Sequence, residues 1–235
     1  RPGGARSHHR RLQEVGLEAM RSALPYSTDP SSALVSINPD NGEIEAMVSS
    51  TSYDASQFNL AAQGHRQPGS TFKTFVLTAA IKQGIDPYNT YYTSKPLNLD
   101  LPKWGHWEVH TADEGYLGNV NLQQATVASD NTVFAQLDLD VGPRQVAETA
   151  HSLGVTSPLD GIPAEGIGGL RIGVSPLEMA DAYATLAAGG IRHDPVAVKR
   201  VVFPGGKTER PERTPPRRVV SEAVAYEVTR LPVSY

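Results

Sequence analysis

Apolar residues at Phe72, Phe75, Val76, Ala79 and Ala80 recur every three or four positions, the spacing of one helix face. Pro68-Gly69 breaks the chain before this run, Ser70 stands at the N-cap or in the first turn, and Gly84 stops it. Leu12, Val15, Ala19, Met20 and Ala23 predict a lead-in helix from Leu12 to Leu24, closed by Pro25. Between the two helices the period changes. Ala33-Leu-Val-Ser-Ile37 and Ile44-Glu-Ala-Met-Val48 read as strands, and Asn41-Gly42 between them predicts an antiparallel hairpin. Ser49 to Gly69 reads as a polar loop, and Asp86 to Asn119 as a long surface segment without regular periodicity.

The second half of the chain is mostly helical in pattern. Leu122 to Val127 begins a helix broken at Ser129, and Val133 to Leu139 resumes it. Pro143 to Leu153 is amphipathic with Gly154 as its stop, and Ser175-Pro-Leu-Glu178 is a capping box opening a helix through Ala188. Pro195 to Phe203 predicts a strand, Pro204-Gly205-Gly206 a turn, Pro211 to Pro216 an exposed loop and Val219 to Arg230 a last helix. Strands first and helices afterwards imply an α+β fold, with a helical subdomain inserted after the first hairpin.

Length and composition narrow the function classes. A chain of 235 residues with 39% hydrophobic content can bury a proper core. The net charge is −4, and the arginines gather at the two ends (Arg1, Arg6, Arg10, Arg11, then Arg210, Arg213, Arg217, Arg218), so nucleic acid is not an expected partner. With no cysteine, disulfides and thiolate metal sites are excluded. No signal peptide or apolar run of membrane-spanning length is visible. Residues Arg1 to Arg11 are Gly-, His- and Arg-rich and read as a linker, which makes His8 and His9 weak metal candidates. His106-Trp-Glu-Val-His110 has zinc-site spacing only on a helix, and Gly105 with the aromatic setting argues for loop or strand. Neither a metal nor a cofactor is expected. Trp104, Trp107 and Tyr116 suit packing or a cleft wall.

The candidate chemistry begins at Ser70. Three residues on, Lys73 shares its helix face, with Cβ atoms about 5–6 Å apart in such pairs. A serine hydroxyl needs a base to become a nucleophile, and a lysine can serve once burial has made it partly neutral. The helix N-terminus beside it favours a developing oxyanion. Ser-x-x-Lys alone is a common surface pattern. The addition of Ser129-Asp130-Asn131 changes its meaning, because the two in order are part of one combined signature.

From Ala33 to about Arg230 the chain resembles the transpeptidase domain of penicillin-binding proteins, most closely the bifunctional class A type. The likeness is carried by Ser36 to Val48, by Arg66-Gln-Pro-Gly-Ser-Thr-Phe-Lys73, by Ala128-Ser-Asp-Asn-Thr-Val-Phe134 and by Gly173 to Ala187. It implies the fold shared by penicillin-binding proteins and serine β-lactamases, with residues 1–30 as linker and lead-in helix and 31–235 as the domain. It also implies roles. Ser70 would attack the penultimate D-alanine carbonyl of a peptidoglycan stem peptide, with Lys73 as base and Ser129 as proton relay. Asn131 would bind the substrate amide, and the Ser70 N–H would form half of the oxyanion hole. β-Lactams would acylate Ser70. The resemblance implies that the parent protein works on the outer face of the bacterial cytoplasmic membrane, with an anchor outside this chain and room for the glycosyltransferase domain of the bifunctional type.

The chain departs from the family pattern at the third motif, Lys-Thr-Gly or Lys-Ser-Gly. Lys207-Thr-Glu209 imitates it in a surface turn, with Glu where Gly is required. The expectation is a domain incomplete at its C-terminal sheet strands and weak or inactive by itself. Two other readings remain open. A class A β-lactamase would need an added glutamate to activate water, and Glu165 is the only carboxylate in a suitable loop. A non-catalytic module that binds cell-wall peptide or a partner would need no base beside its hydroxyl.

Overall fold

The computed structural model describes residues 3–6, 10–26, 28–51, 54 and 56–231, so His8 and His9 lie outside the described residues. The chain runs β1 (Gly3–Arg6), α1 (Arg10–Ala23), β2 (Ala33–Ile37), β3 (Ile44–Ser49) and α2 (Leu60–Gln63). A 3-10 turn (Gly69–Phe72) leads into α3 (Lys73–Lys82), followed by β4 (Tyr91–Ser94), β5 (Leu97–Leu101), β6 (Gly105–Val109) and β7 (Gly118–Asn121). Next come α4 (Leu122–Val127), α5 (Asn131–Val141), α6 (Pro143–Leu153), a 3-10 turn (Pro163–Ile167) and α7 (Pro176–Ala187). Last are β8 (Ile191–Arg192), β9 (Val198–Val202), β10 (Thr208–Glu209), β11 (Arg217–Arg218) and α8 (Glu222–Arg230). These elements form two compact units, Arg1–Arg66 with Leu153–Thr156 and Val174–Val219, and Gln67–Ser152 with Ser157–Gly173 and Val220–Tyr235.

The first unit is built on the predicted hairpin. β2 and β3 pair antiparallel from Ala33↔Ser49 to Ile37↔Ile44, and Gly42 takes φ 72 at the turn, where an added Cβ would lie 2.4 Å from the Asp194 carbonyl oxygen. Ile44, Ala46 and Val48 alternate into the core along β3. α1 lays Gly16 against Val48 and Leu34, a contact that a larger residue would push apart. Its Gln13 amide donates to the Met47 carbonyl at 2.9 Å and accepts from the Met47 N–H at 2.6 Å, doing for the outer side of β3 what another strand would do. α7 packs on β2 and opens with the capping box read from sequence: Ser175 Oγ accepts from the Glu178 N–H, and the Glu178 carboxylate accepts from the Ser175 N–H. Gly3–Arg6, expected as linker, instead pairs with β9 as β1, and β10 joins the other side of β9. Ser49 to Gly69, expected as loop throughout, contains the short helix α2 capped by Asn59.

The second unit surrounds α3. Sequence periodicity predicts one apolar face, yet Leu77 and Thr78 are buried along with Phe75, Val76, Ala79 and Ala80, so the helix is covered all round. α5, α8 and both 3-10 turns pack against it, and Gly84 at φ 87 follows its end. The stretch from Asp86 to Asn119, read as irregular, holds three strands and the start of a fourth. β4 pairs with β7, and β5 pairs with β6 in a hairpin whose Leu97 and Val109 bury against Ala135 of α5, flanked by Trp107.

Because the Ser175 hydroxyl and Glu178 satisfy each other at a buried helix start, Ser175→Ala should cost about 1–2 kcal/mol. Urea denaturation reads the loss as a lower midpoint with unchanged slope.

Candidate active site

Ser70 is exposed within the 3-10 turn Gly69–Phe72, and Lys73, which opens α3, donates its backbone N–H to the Ser70 carbonyl. The turn is set from below. Gly69 takes φ 56, and a Cβ on Gly168 would come 2.1 Å from the Gly69 carbonyl oxygen, so two backbones meet there with no room for a side chain. The Gln67 amide clamps the same approach, accepting from the Leu170 N–H at 2.7 Å and donating to the Leu170 carbonyl.

Lys73 is 4% exposed and points its amine at one neighbouring segment. Nζ donates to the Ser129 carbonyl at 2.5 Å, to Ser129 Oγ at 3.1 Å and to Asn131 Oδ1 at 2.7 Å, with the Phe134 ring centre 5.5 Å away. Burial lowers its pKa to about 8, against the opposing pull of the Asp130 carboxylate. Roughly one lysine in ten is then neutral at pH 7.

The segment that receives Lys73 is held by Asp130. As N-cap of α5 its Oδ1 accepts from the N–H groups of Thr132 and Val133 and from Thr132 Oγ1, and its Oδ2 accepts from Ser94 Oγ at 2.5 Å. Burial works to raise the Asp130 pKa, but the hydrogen bonds from Ser94 and Thr132 and the Val133 amide outweigh it and hold the carboxyl below the usual range. Ser129, just before the cap, sits at φ 52, a left-handed conformation costly for a residue with a side chain. That geometry turns both its carbonyl and its hydroxyl toward Lys73. Asn131 Nδ2 donates to the His110 carbonyl at 3.0 Å. One acceptor lone pair and one N–H of its amide are left over for another group.

The four residues singled out from sequence thus fall in one unit, with Lys73 joining Ser129 and Asn131 directly and Ser70 one turn ahead of it. Ser94, His110 and Phe134 were not anticipated. Asp130 could have been, since an aspartate just ahead of a helical run is an N-cap signal. Elsewhere, His106 lies on strand β6 and bonds Asp100 and Glu108, while His110 bonds the Tyr116 hydroxyl. Among the described residues no cluster of three metal-ligating side chains occurs. Lys207 is exposed and paired with Glu209 in the first unit.

The family model of the penicillin binding protein transpeptidase domain matches residues 32–231. The chain belongs to this family. Curated relatives include penicillin-binding protein 1A of Mycobacterium tuberculosis, 36% identical over 193 residues, 76% of this chain and 22% of that protein. Penicillin-binding protein 2D of Bacillus subtilis is 28% identical over 219 residues, 92% of this chain and 31% of that protein. This penicillin-binding domain therefore spans less than a third of those relatives. Among solved structures, PonA1 of M. tuberculosis superposes with TM-score 0.84 and 29% identity, covering 98% of this chain and 62% of that one. Penicillin-binding protein A of M. tuberculosis, in its imipenem acyl-enzyme complex, superposes with TM-score 0.85 and 26% identity over 98% of this chain and 62% of that one. The α+β transpeptidase fold expected from the sequence is the fold observed.

Asp130→Ala removes three donors' acceptor and the Ser94 link at a site 3% exposed, and should destabilise by about 1–3 kcal/mol in denaturant titration. Asp130→Asn should recover part of that loss, since an amide oxygen still caps.

Proposed function

We propose that this chain supplies the acyl-serine centre of a D,D-transpeptidase that cross-links peptidoglycan stem peptides and is acylated by β-lactams, with residues 31–235 as the catalytic domain. The observation that carries the reading is the buried Lys73 amine, its pKa drawn down to about 8, held by Ser129 and Asn131 one turn after an exposed serine. A module that only binds peptide gains nothing from that arrangement. A base, by contrast, must be close to neutral at working pH.

In this reading neutral Lys73 takes the Ser70 hydroxyl proton as Oγ attacks the penultimate D-alanine carbonyl. The Ser70 N–H, at the mouth of the helix, stabilises the tetrahedral oxyanion. Collapse breaks the bond to the terminal D-alanine, whose nitrogen receives the proton from Lys73 through Ser129 Oγ. An acceptor amine then attacks the acyl-serine, and the same groups run the proton in reverse. Asn131 offers its remaining N–H and lone pair to the substrate amide. No metal or cofactor takes part. The site of action is the cell-wall side of the bacterial membrane, and among the described residues no helix is long and apolar enough to cross one.

The β-lactamase alternative needs Glu165 as a water-activating base. Glu165 is 3% exposed, and its two oxygens accept from the backbone N–H groups of Asp160 and Gly161 at 2.7 and 2.9 Å, which favours a structural task for it.

Ser70→Ala should abolish covalent labelling of the full-length protein by a fluorescent penicillin, while a label that persists removes the nucleophile assignment. The wild-type acylation rate should climb as pH rises toward about 8 and Lys73 sheds its proton. Lys73→Arg, permanently charged, should lose about a hundredfold or more across that range by stopped-flow.

A further inference from the structure

Asp138 lies on α5, two helical turns past Asn131, with no solvent exposure. Among the described residues neither of its carboxyl oxygens has a hydrogen-bond partner. It is pressed against Gly166 of the second 3-10 turn, where an added Cβ would come 2.6 Å from its Cγ and 2.9 Å from Oδ1. The neighbouring residue in that turn is Glu165, whose oxygens are each met by a backbone N–H. Two buried carboxyl groups therefore lie side by side, one with donors and one with none. An anion without donors in such a place is far costlier than a neutral acid, so the proton sits on Asp138.

The turn that rests on Asp138 also rests on the serine. Pro163–Ile167 ends at Gly168, φ 88, whose backbone abuts Gly69, and Leu170 is clamped by Gln67. Gly69 immediately precedes Ser70. The second 3-10 turn packs on α5, on the first 3-10 turn and on α3. A chain of close contacts thus runs from the Asp138 side chain through Gly166 and Gly168 to the Ser70 turn.

We propose that Asp138, kept as the uncharged acid, is a positioning residue that lets the 163–168 turn seat on α5 and thereby fixes the Ser70 turn for acylation. The inference rests on Ser70 being the nucleophile. When Asp138 loses its proton, an anion without donors appears beside Glu165 and against the Gly166 backbone. The turn then moves off α5, and Gly69 loses its abutment. Errors of about 1 Å at a reacting atom cost on the order of a hundredfold in rate.

The charges around Asp138 leave Glu165 as its partner. On α3, Lys73 is committed to Ser129 and Asn131, and Lys82 is exposed. On β4, Tyr91 is exposed and Tyr92 bonds Asp140, the other acid on α5. On β6, His106 bonds Asp100 and Glu108, and α4 carries no titratable side chain. Burial first, then the Glu165 charge, pushes the Asp138 pKa up to about 8. A carboxyl whose pKa is raised by folding gives stability that is whole below its unfolded pKa, about 4, and is lost as pH climbs through its folded value.

The test is the pH profile of acylation by a fluorescent penicillin, measured from about pH 6 to 10 on the full-length protein and on Asp138→Asn. The wild type should rise as Lys73 deprotonates and then fall as Asp138 does. Asp138→Asn has the same shape without the charge, so it should match the wild type near pH 6.5 and keep its rate above the turnover point. By about pH 9.5 it should lead by about tenfold or more. A wild-type profile with no alkaline fall, or an Asp138→Asn profile that falls with it, overturns the proposal. Glu165→Gln supplies a second reading, because removing that charge should bring the alkaline fall to lower pH, and an unmoved fall counts against the pair. Thermal melts separate this inference from the one beneath it. Should Ser70→Ala still label, the nucleophile is wrong, yet the melting temperature of Asp138→Asn should still gain on the wild type between about pH 4 and 8.

Discussion

A buried amine has to find acceptors, and among the described residues those of the Lys73 amine come from Ser129 and Asn131. That requirement ties α3 to the start of α5 and leaves the three residues little freedom to drift. Burial is what draws the lysine toward neutrality, while these acceptors and the nearby Asp130 carboxylate keep the charged form within reach. The left-handed Ser129 and the Asp130 cap follow from the same need. The cap, with the Lys73 bonds and the Ser129 N–H bond to the Thr126 carbonyl, holds a non-glycine residue at φ 52 against its steric cost.

Behind the site, packing works through glycine. Gly166 admits the Asp138 side chain and Gly168 the Gly69 backbone, contacts that any side chain would block, and these link the core of α5 to the turn before Ser70. The polar side chain Gln67 completes the arrangement at Leu170. The placement of one exposed hydroxyl is thus tied to buried residues of α5 and the second 3-10 turn.

Much of this was readable in the chain itself, and the unreadable part has a common cause. The hairpin, α1, α4 to α8 and the cap at Ser175 are local signals, each written within a dozen residues or so. Ser70, Lys73, Ser129 and Asn131 were legible because order and spacing single them out. β4 and β7, by contrast, are four residues each and pair across a long connection, so neither announces its partner. β1 failed for the same reason: Gly3–Arg6 has no pattern of its own and acquires a strand only from β9. Ser94 and His110 reach the site by tertiary contact alone. Asp138 was hidden most thoroughly. In Leu137-Asp-Leu-Asp-Val141 two acids alternate with apolar residues, and nothing in that run tells that one of them bonds a tyrosine while the other is shut in the core.

The pairing of Gln13 with Met47 has a consequence for how the first unit keeps to itself. A flexible amide, unlike a neighbouring strand, brings no further donors and acceptors of its own, so the ladder terminates where it attaches. Recruitment of a foreign peptide along that margin would first have to evict a side chain anchored on a fourteen-residue helix. α1 therefore acts as a stopper on the β3 side of the hairpin as well as a packing element.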